Sequence, residues 1–338
     1  MPFVVYTLDS AIRNFFAEAG ASSSRSQCDE FVRQRYPGGQ IQPAPIQGSN
    51  SYTVIVGRAA AGDKVVQFRE QSALLDVTML KLAKEIHGDV VPGGSTSLGW
   101  VGTTNTSLGR SPLAVYEMDK LPGETFVMAR MSLEAHQRLN TVRDLASFFA
   151  QAWLKGAAAV SHLVDLPAIK EECRARFEYL AETLPERFLP VVSEVQRDSL
   201  LPALLDGNYP LVLTHSDLNE MNILVNPHTG ELTGVIDWAD ASIQPFGFTL
   251  YALENALGNM SSGGWKWFDN ADELRDAFWR DFVDNTGVSE SETRLIKLAA
   301  KAGILIRYGT AYDAGFPGMI GVRDPSAEDD RYLDALLF

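Results

Sequence analysis

Between residues 210 and 238 the chain alternates short apolar runs with polar segments, and this region restricts the fold more than any other part of the sequence. The apolar runs are residues 210–214, 223–225 and 232–236. Each is short enough to be a buried strand. The turn-forming residues 226–230 join the last two runs as a hairpin, so the polar residues 215–222 form a loop before it.

The ends of this hairpin bring oxygen-bearing side chains together. Asn222 stands where the second apolar run begins, and Asp237 follows the end of the third. Antiparallel neighbours place such residues about 5 Å apart. Carboxylate and carboxamide oxygens suit Mg²⁺, which takes few protein ligands and completes its shell with phosphate oxygens and water. Asp217, at the tip of the preceding loop, is positioned to face the hydroxyl group of an acceptor.

The pattern His-x-Asp-Leu-x-x-x-Asn at residues 215–222, with Ile-Asp-Trp at 236–238, resembles the catalytic segment of the aminoglycoside phosphotransferase and choline kinase group. This group is the small-molecule branch of the protein-kinase-like fold, and a Trp after the second Asp is typical of it. More narrowly, the chain resembles fungal phosphotransferase family enzymes. The likeness extends from about residue 45 to about residue 270.

The resemblance implies a role for each residue of the loop. Asp217 would be the catalytic base, and Asn222 and Asp237 the metal ligands. His215 would organise the loop. The implied cofactors are ATP and Mg²⁺, and the implied reaction is transfer of a phosphoryl group to a small acceptor.

The resemblance implies an α+β, bilobal protein-kinase-like fold. The length agrees with two lobes, because 338 residues exceed the usual size of a single core. Residues 1–36 are expected to form an N-terminal helical segment. Residues 37–118 would be a small nucleotide-binding lobe with an antiparallel sheet and one helix, and residues 119–338 a larger, mainly helical lobe with the catalytic loop and the acceptor site. Predicted strands are three within 41–69, then 96–101 and 113–118; predicted helices include 72–86, 141–163, 171–183, 190–205, 249–260, 272–283 and 291–308.

Residues of the small lobe are candidates for nucleotide contacts. A turn of glycine and short polar residues lets backbone N–H groups approach phosphate closely. The resemblance further implies that Glu117 and Met118 form the hinge beside adenine and that Leu224 forms its floor. The nucleotide candidates of the small lobe, together with Leu224 of the large lobe, are Gly48, Ser49, Asn50, Ser51, Gln67, Arg69, Asp76, Glu117, Met118 and Leu224.

The chain departs from the family pattern at two places. Gln67 stands near the position where the family has Lys or Arg, and its uncharged side chain cannot neutralise phosphate. Arg69 shares its strand face and can bind phosphate bidentately. Arg69 is therefore expected to take the place of the family's Lys or Arg, directly or by a one-step register shift. The acidic partner would be Asp76, with Glu70 and Glu85 as alternatives. The second departure is at residues 245–248, which lack the Asp that braces the catalytic loop in many relatives; Asp240 is a candidate for that role.

The acceptor is the least determined part of the site. A net charge of −14 argues against nucleic-acid binding, and it either favours a cationic acceptor or serves solubility. Aromatic and polar residues downstream of the loop suit an amine, while a hydroxylated secondary metabolite or sugar stays open. These residues are Glu254, Asn255, Trp265, Trp267, Phe268, Tyr308, Tyr312 and Asp313.

Two cysteines are too few for a disulfide framework and indicate a reducing compartment. No secretory signal or membrane span is visible, so a cytoplasmic location is expected. Three functions compete: an ATP-dependent small-molecule kinase, a nucleotide-binding pseudokinase with a regulatory or scaffolding role, and an enzyme of another class that reuses the pocket. The choice between ATP and GTP and the oligomeric state are open.

Overall fold

The computed structural model describes residues 6–18, 20–58, 62–103, 110–197, 200–312, 314–316 and 321–338. It divides into two compact units. The first comprises Met1–Lys84 and Val91–Leu121, and the second comprises Glu85–Val90 and Pro122–Phe338. Helices and antiparallel sheets both contribute, which confirms the expected α+β class.

The first unit is built on a five-stranded antiparallel sheet with the strand order β1-β2-β3-β5-β4. Strand β3 lies between β2 and β5, so that Gln67 pairs with both Thr53 and Tyr116. The elements of this unit are α1 (Leu8–Glu18), α2 (Arg25–Arg35), β1 (Gln40–Pro43), β2 (Ser51–Gly57), β3 (Lys64–Arg69), α3 (Val77–His87, whose last turn belongs to the second unit), β4 (Thr96–Val101) and β5 (Leu113–Asp119).

The two N-terminal helices share a hydrophobic core with one face of this sheet. Helix α2 begins with a capping box, in which Ser24 and Gln27 satisfy each other's backbone N–H groups. Its Cys28 and Val32 are fully buried together with strand residues such as Val54. Residues of the N-terminal segment therefore contribute to the hydrophobic core of the sheet.

The second unit is mainly helical, with short strands that carry the candidate site. Its helices are α4 (Phe126–Ala129), α5 (Ala135–Gln151), α6 (Ala157–Val160), α7 (Leu166–Thr183), α8 (Leu189–Arg197), α9 (Leu200–Leu204), α10 (Tyr251–Ala256), α11 (Ala271–Thr286), α12 (Glu290–Gly309) and α13 (Arg331–Leu337). Its strands are β6 (Glu124–Thr125), β7 (Leu211–Thr214), β8 (Ile223–Val225), β9 (Leu232–Val235), β10 (Ser242–Pro245), β11 (Gly258–Ser261) and β12 (Gly264–Trp267).

The hairpin predicted from the sequence is confirmed. Strands β8 and β9 pair in antiparallel register, with Ile223 opposite Val235. The ladder continues one step further, because the N–H of Ile236 donates to the carbonyl of Asn222 at 2.9 Å. Asp237 therefore follows directly after the residue that pairs with Asn222.

Several predicted helices have different boundaries; α7, for example, begins at Leu166 rather than at 171. In three other helices a local contact accounts for the difference. Helix α3 begins at Val77 rather than at residue 72, because the carboxylate of Asp76 accepts the N–H groups of Thr78 and Met79 and caps the first turn. Helix α5 begins at Ala135 rather than at 141, after a cap that involves Glu134.

The third helix, predicted over 249–260, ends at Ala256 and is followed by the β11–β12 hairpin. At Gly258 a side chain would come within 2.8 Å of the indole nitrogen of Trp265. Only glycine therefore permits the two strands to approach.

Within the described residues, no helix combines the length and the apolar character that crossing a membrane requires.

Candidate active site

Asp217 lies in the loop between β7 and β8 and is held through both its side chain and its backbone. Its Oδ1 accepts hydrogen bonds from Arg307 Nη2 at 2.6 Å and from Asn219 Nδ2 at 2.9 Å. Its Oδ2 has a longer contact of 3.4 Å with Asn222 Nδ2. One carboxylate oxygen is therefore engaged by two donors, and the other is the better placed to accept a proton.

The backbone on both sides of Asp217 is fixed by one tyrosine. The hydroxyl of Tyr251 accepts the N–H of Leu218 and donates to the carbonyl of Ser216, both at 3.1 Å. Tyr251 is fully buried at the start of α10. A fully buried side chain has little freedom to move, so this clamp holds the loop in a single conformation.

Asn222 is oriented by the backbone of Asp217, five residues earlier in the loop. Its Nδ2 donates to the carbonyl of Asp217 at 2.8 Å. Because a carboxamide has one donor end and one acceptor end, this bond turns Oδ1 away from that carbonyl. Oδ1 is the atom that can coordinate a cation.

The backbone takes an uncommon conformation at both ends of the site. Ser216 and Asp237 have φ values of 61°, and they are two of only three non-glycine residues with positive φ in the described part of the chain. Such conformations are disfavoured for L-residues and collect at functional sites. Here they turn the chain at the residue before Asp217 and at Asp237 itself.

His215 connects the loop to the β8–β9 hairpin. Its Nε2 lies 2.7 Å from the carbonyl oxygen of Ile236, and since a carbonyl only accepts, Nε2 carries the proton. Burial lowers the pKa of His215, which keeps the ring neutral at physiological pH. Its ring meets Trp238 edge-on at 4.8 Å. The organising role that the resemblance implies for His215 stays a prediction.

A second buried histidine, His87, lies near Trp238, whose ring His215 also contacts. Its ring stacks on Phe148 at 3.9 Å and lies 5.7 Å from that of Trp238. Burial, with further contributions from Lys155 and His215, lowers the pKa of His87 to about 3. The unfolded chain takes up this proton near pH 6.5, whereas the folded chain does not, so stability falls as the pH drops below 6.5.

Replacing His87 by Phe is therefore expected to make the protein less sensitive to acid. The wild type should lose about 2 kcal/mol of unfolding free energy through His87 between about pH 7.5 and pH 5, because its histidine is forced to stay neutral. His87→Phe keeps the aromatic stack on Phe148 and removes this loss. Urea unfolding at the two pH values measures the difference, and equal pH dependence in both proteins would contradict the expectation.

The oxygen donors suit a hard cation. Across the part of the chain that the structure describes, no three His, Cys, Asp or Glu side chains form a metal-binding group. A metal in this site would be held by the Asp237 carboxylate and the Asn222 carboxamide, with the remaining positions left to phosphate and water. Mg²⁺ is commonly bound in this way.

In the first unit, several nucleotide candidates lie on one polar face of the sheet. Arg69 Nη1 donates to Gln67 Oε1 at 3.2 Å, and Gln67 Nε2 donates to Thr53 Oγ1 at 3.4 Å. Arg69 Nε also donates to the carbonyl of Ala73 at 2.6 Å, and its side chain is buried. Arg69 and Gln67 therefore share a strand face and touch, as their spacing predicts.

The other nucleotide candidates are spread over separate elements. Gly48, Ser49 and Asn50 lie in the turn before β2, which Ser51 opens. Asp76 caps α3. Glu117 and Met118 lie on β5 of the first unit, whereas Leu224 is buried on β8 of the second.

Among the acceptor candidates, Trp267 lies beside the ion pair of Glu254 and Arg275. Glu254 binds Arg275 at 2.8 Å, and the Arg275 guanidinium lies 5.1 Å from the ring centre of Trp267. A cavity of about 480 Å³ is lined by these three residues, by Phe268 and by the C-terminal residues 335–338. Tyr308 donates to Asn255 Oδ1 at 2.7 Å and stacks on Tyr332. Asp313 lies outside the described residues.

The sequence does not predict the contacts of Arg307 and Tyr251 or the Arg130–Glu220 ion pair, which measures 3.1 Å. Arg307 is 90 residues downstream of Asp217, and Arg130 is 90 residues upstream of Glu220. No local pattern marks either arginine, because each pairing exists only after helices distant in sequence have packed together.

Comparisons with known proteins point to a family and to a fold. The model of a family described as "Phosphotransferase enzyme family" matches residues 100–282, more than half of the chain. A comparison with curated proteins found no match.

Solved structures with the same fold include two GDP complexes of aminoglycoside 2'-phosphotransferase-IIIa. A point variant has a TM-score of 0.54 and 17% identity, covering 93% of this chain and 95% of that one. The wild type has a TM-score of 0.51 and 18% identity, covering 94% and 100%. The apoenzyme of a macrolide 2'-phosphotransferase from Brachybacterium faecium has a TM-score of 0.52 and 15% identity, covering 83% and 89%. The expected kinase-like fold is confirmed, and the likeness to fungal members stays a prediction.

Proposed function

The chain belongs to the phosphotransferase enzyme family, and from that premise we propose that it is an ATP-dependent kinase acting on a hydroxyl group of a small molecule. The observation that carries the proposal is the arrangement of three side chains in the second unit. Asp217 and Asn222 are in contact, and Asp237 follows the residue paired with Asn222. A base beside two hard oxygen ligands is what phosphoryl transfer requires.

Each of the three residues has one task in this proposal. Asn222 and Asp237 hold Mg²⁺, which when bound neutralises charge on the phosphate oxygens of the nucleotide. Asp217 receives the acceptor hydroxyl at Oδ2, whose contact with Asn222 Nδ2 is long at 3.4 Å, whereas Oδ1 accepts short bonds from Arg307 and Asn219. It orients that hydroxyl for in-line attack, and most of the rate enhancement comes from this positioning and from charge stabilisation.

The proposed transfer needs no reactant other than ATP and the acceptor. The acceptor oxygen forms a bond to the γ-phosphorus, and the bond from that phosphorus to the β–γ bridging oxygen breaks. The hydroxyl proton passes to Asp217, and ADP leaves with the electron pair of the broken bond. Asp217 then releases its proton to solvent, which restores the carboxylate.

A transfer assay tests the proposal. The purified protein is incubated with magnesium and ATP labelled at the γ-phosphate, together with a panel of amines, sugars and hydroxylated secondary metabolites. We expect labelled product from at least one class, and slow release of labelled phosphate when water is the only acceptor. A protein that neither binds nor hydrolyses the nucleotide with magnesium would refute the proposal.

The nucleotide site is expected to depend on Arg69. Arg69→Met should weaken ATP affinity about tenfold to a hundredfold, because charge-assisted bonds to phosphate contribute about 1.5–3 kcal/mol. Lys64→Met is the matched control, since it removes a positive charge from the same strand, one that is paired with Asp119 at 2.6 Å. Calorimetric titration with ATP measures both. Equal affinities in the two variants would exclude Arg69 as the phosphate-binding residue.

A nucleotide-binding pseudokinase is the second candidate, and Gln67 favours it. An uncharged side chain stands near the position where kinases place the phosphate-binding lysine. Binding of ATP with magnesium and no turnover, in the presence of the full acceptor panel, would support this alternative. Measurable hydrolysis that disappears in Asp217→Asn would exclude it.

A further inference from the structure

Arg307 makes the shortest contact of the candidate base. It lies near the end of the 20-residue helix α12, with a side chain only 7% exposed, and its Nη2 is 2.6 Å from Asp217 Oδ1. Arginine keeps its charge in every protein environment. A charge-assisted bond of this length to a carboxylate is among the stronger polar contacts in proteins, so it fixes the rotation of the Asp217 side chain.

The helix that carries Arg307 is itself anchored on several sides. The next residue, Tyr308, donates to Asn255 Oδ1 on α10 at 2.7 Å and stacks on Tyr332 of α13 at 4.6 Å. The carbonyl of Arg307 accepts the N–H of Val322 at 3.1 Å. The guanidinium is therefore delivered to the catalytic loop from a rigid support.

Tyr251 completes the same support. The Arg307 guanidinium lies 5.7 Å from its ring centre, and its hydroxyl bonds to the backbone on both sides of Asp217. One residue thus holds the backbone of the loop while the other holds the carboxylate. Residues 245–248 lack the aspartate expected to brace this loop, and the described contacts supply a brace of a different kind.

We propose that Arg307 is a positioning residue for phosphoryl transfer, which fixes Oδ1 of Asp217 so that Oδ2 faces the acceptor hydroxyl. The inference rests on the proposed kinase function. Arg307 acts through Asp217 and does not itself need to touch the nucleotide. Its positive charge also offsets the negative charge that Asp217 would bring near the phosphates.

The experiment compares hydrolysis of ATP with magnesium, with water as the acceptor, in wild type, Arg307→Met and Arg307→Lys. Arg307→Met should lower the rate about a hundredfold, since a displacement of about 1 Å at a reacting group has an effect of this size. The dissociation constant for ATP should stay unchanged. Arg307→Lys keeps a positive charge without the planar fork and should restore part of the rate.

A double variant shows whether Arg307 acts through Asp217. In an Asp217→Asn background, Arg307→Met should have little further effect on the rate, because residues that act as a unit are not additive. Arg176→Met is the matched control for the loss of a buried arginine. Arg176 pairs with Glu172 at 2.8 Å on α7 and has a side chain 3% exposed. This control should keep hydrolysis once it is folded.

Each outcome decides a different question. If Arg307→Met hydrolyses ATP at the wild-type rate, or if its loss adds fully to that of Asp217→Asn, the positioning role is wrong while the kinase function stands. If the wild type neither binds nor hydrolyses ATP, the proposed function fails and this inference fails with it. Should Arg307→Met not fold, Arg307→Gln provides the same comparison.

Discussion

Replacing Asp217 by Asn is expected to lower turnover about a hundredfold to ten-thousandfold, the range that a positioned general base contributes. The carboxamide keeps the shape of the side chain and can still accept the Arg307 hydrogen bond through its oxygen. It cannot accept the proton of the acceptor hydroxyl. Nucleotide affinity should change little, because Asp217 acts on the acceptor rather than on the phosphates. Hydrolysis of ATP under single-turnover conditions gives the rate, and calorimetry gives the affinity.

Glu220→Gln is the matched control for the change at Asp217. Glu220 lies in the same loop, is also paired with a buried arginine, and measures 3.1 Å from Arg130 Nη1. Its substitution removes the same charge and disturbs a similar ion pair, so it should retain most of the turnover. An Asp217→Asn protein that turns over at the wild-type rate would show that another group serves as the base.

Replacing Asp237 by Asn should remove the dependence of nucleotide binding on magnesium. The affinity for ATP in the presence of magnesium is expected to fall about a hundredfold, since changes even to residues that only orient a metal ligand weaken metal binding by about 10–100-fold. Asn is chosen because Asp237 has a left-handed backbone with φ and ψ of 61°, which Asn tolerates better than Ala. Titration with ATP, first with magnesium and then with a chelator, measures the change.

Glu231→Gln provides the comparison for Asp237, because it removes a carboxylate from the turn of the same β8–β9 hairpin, where it accepts a hydrogen bond from Thr229. This protein should still bind ATP more tightly when magnesium is present. The ligand role of Asp237 would be excluded by an Asp237→Asn protein whose affinity for ATP still rises on addition of magnesium as much as that of the wild type.

The catalytic segment could be predicted because its information is local. The alternation of apolar runs and turn formers between residues 210 and 238 specifies strand, loop and hairpin. The structure has β7, β8 and β9 within a residue or two of those runs. A hairpin of this length leaves little freedom in where Asn222 and Asp237 can lie.

Contacts distant in sequence could not be predicted. The start of α3 depends on a cap by Asp76, and the β11–β12 hairpin that follows α10 depends on the close approach of Gly258 to Trp265. The brace on Asp217 comes from α10 and α12, whose packing is decided by burial of whole helix faces rather than by any short pattern. Sequence periodicity finds such faces but does not say which residue on them meets the loop.

A crystal structure with a non-hydrolysable ATP analogue and Mn²⁺ in place of Mg²⁺ tests the central claim most directly. We predict that the anomalous scattering peak places Mn²⁺ within coordination distance of Asn222 Oδ1, the Asp237 carboxylate and phosphate oxygens of the analogue. We also predict that Asp217 Oδ2 faces the space beside the γ-phosphate. A nucleotide bound without metal at these two residues, or with Asp217 turned away from the γ-phosphate, would contradict the account.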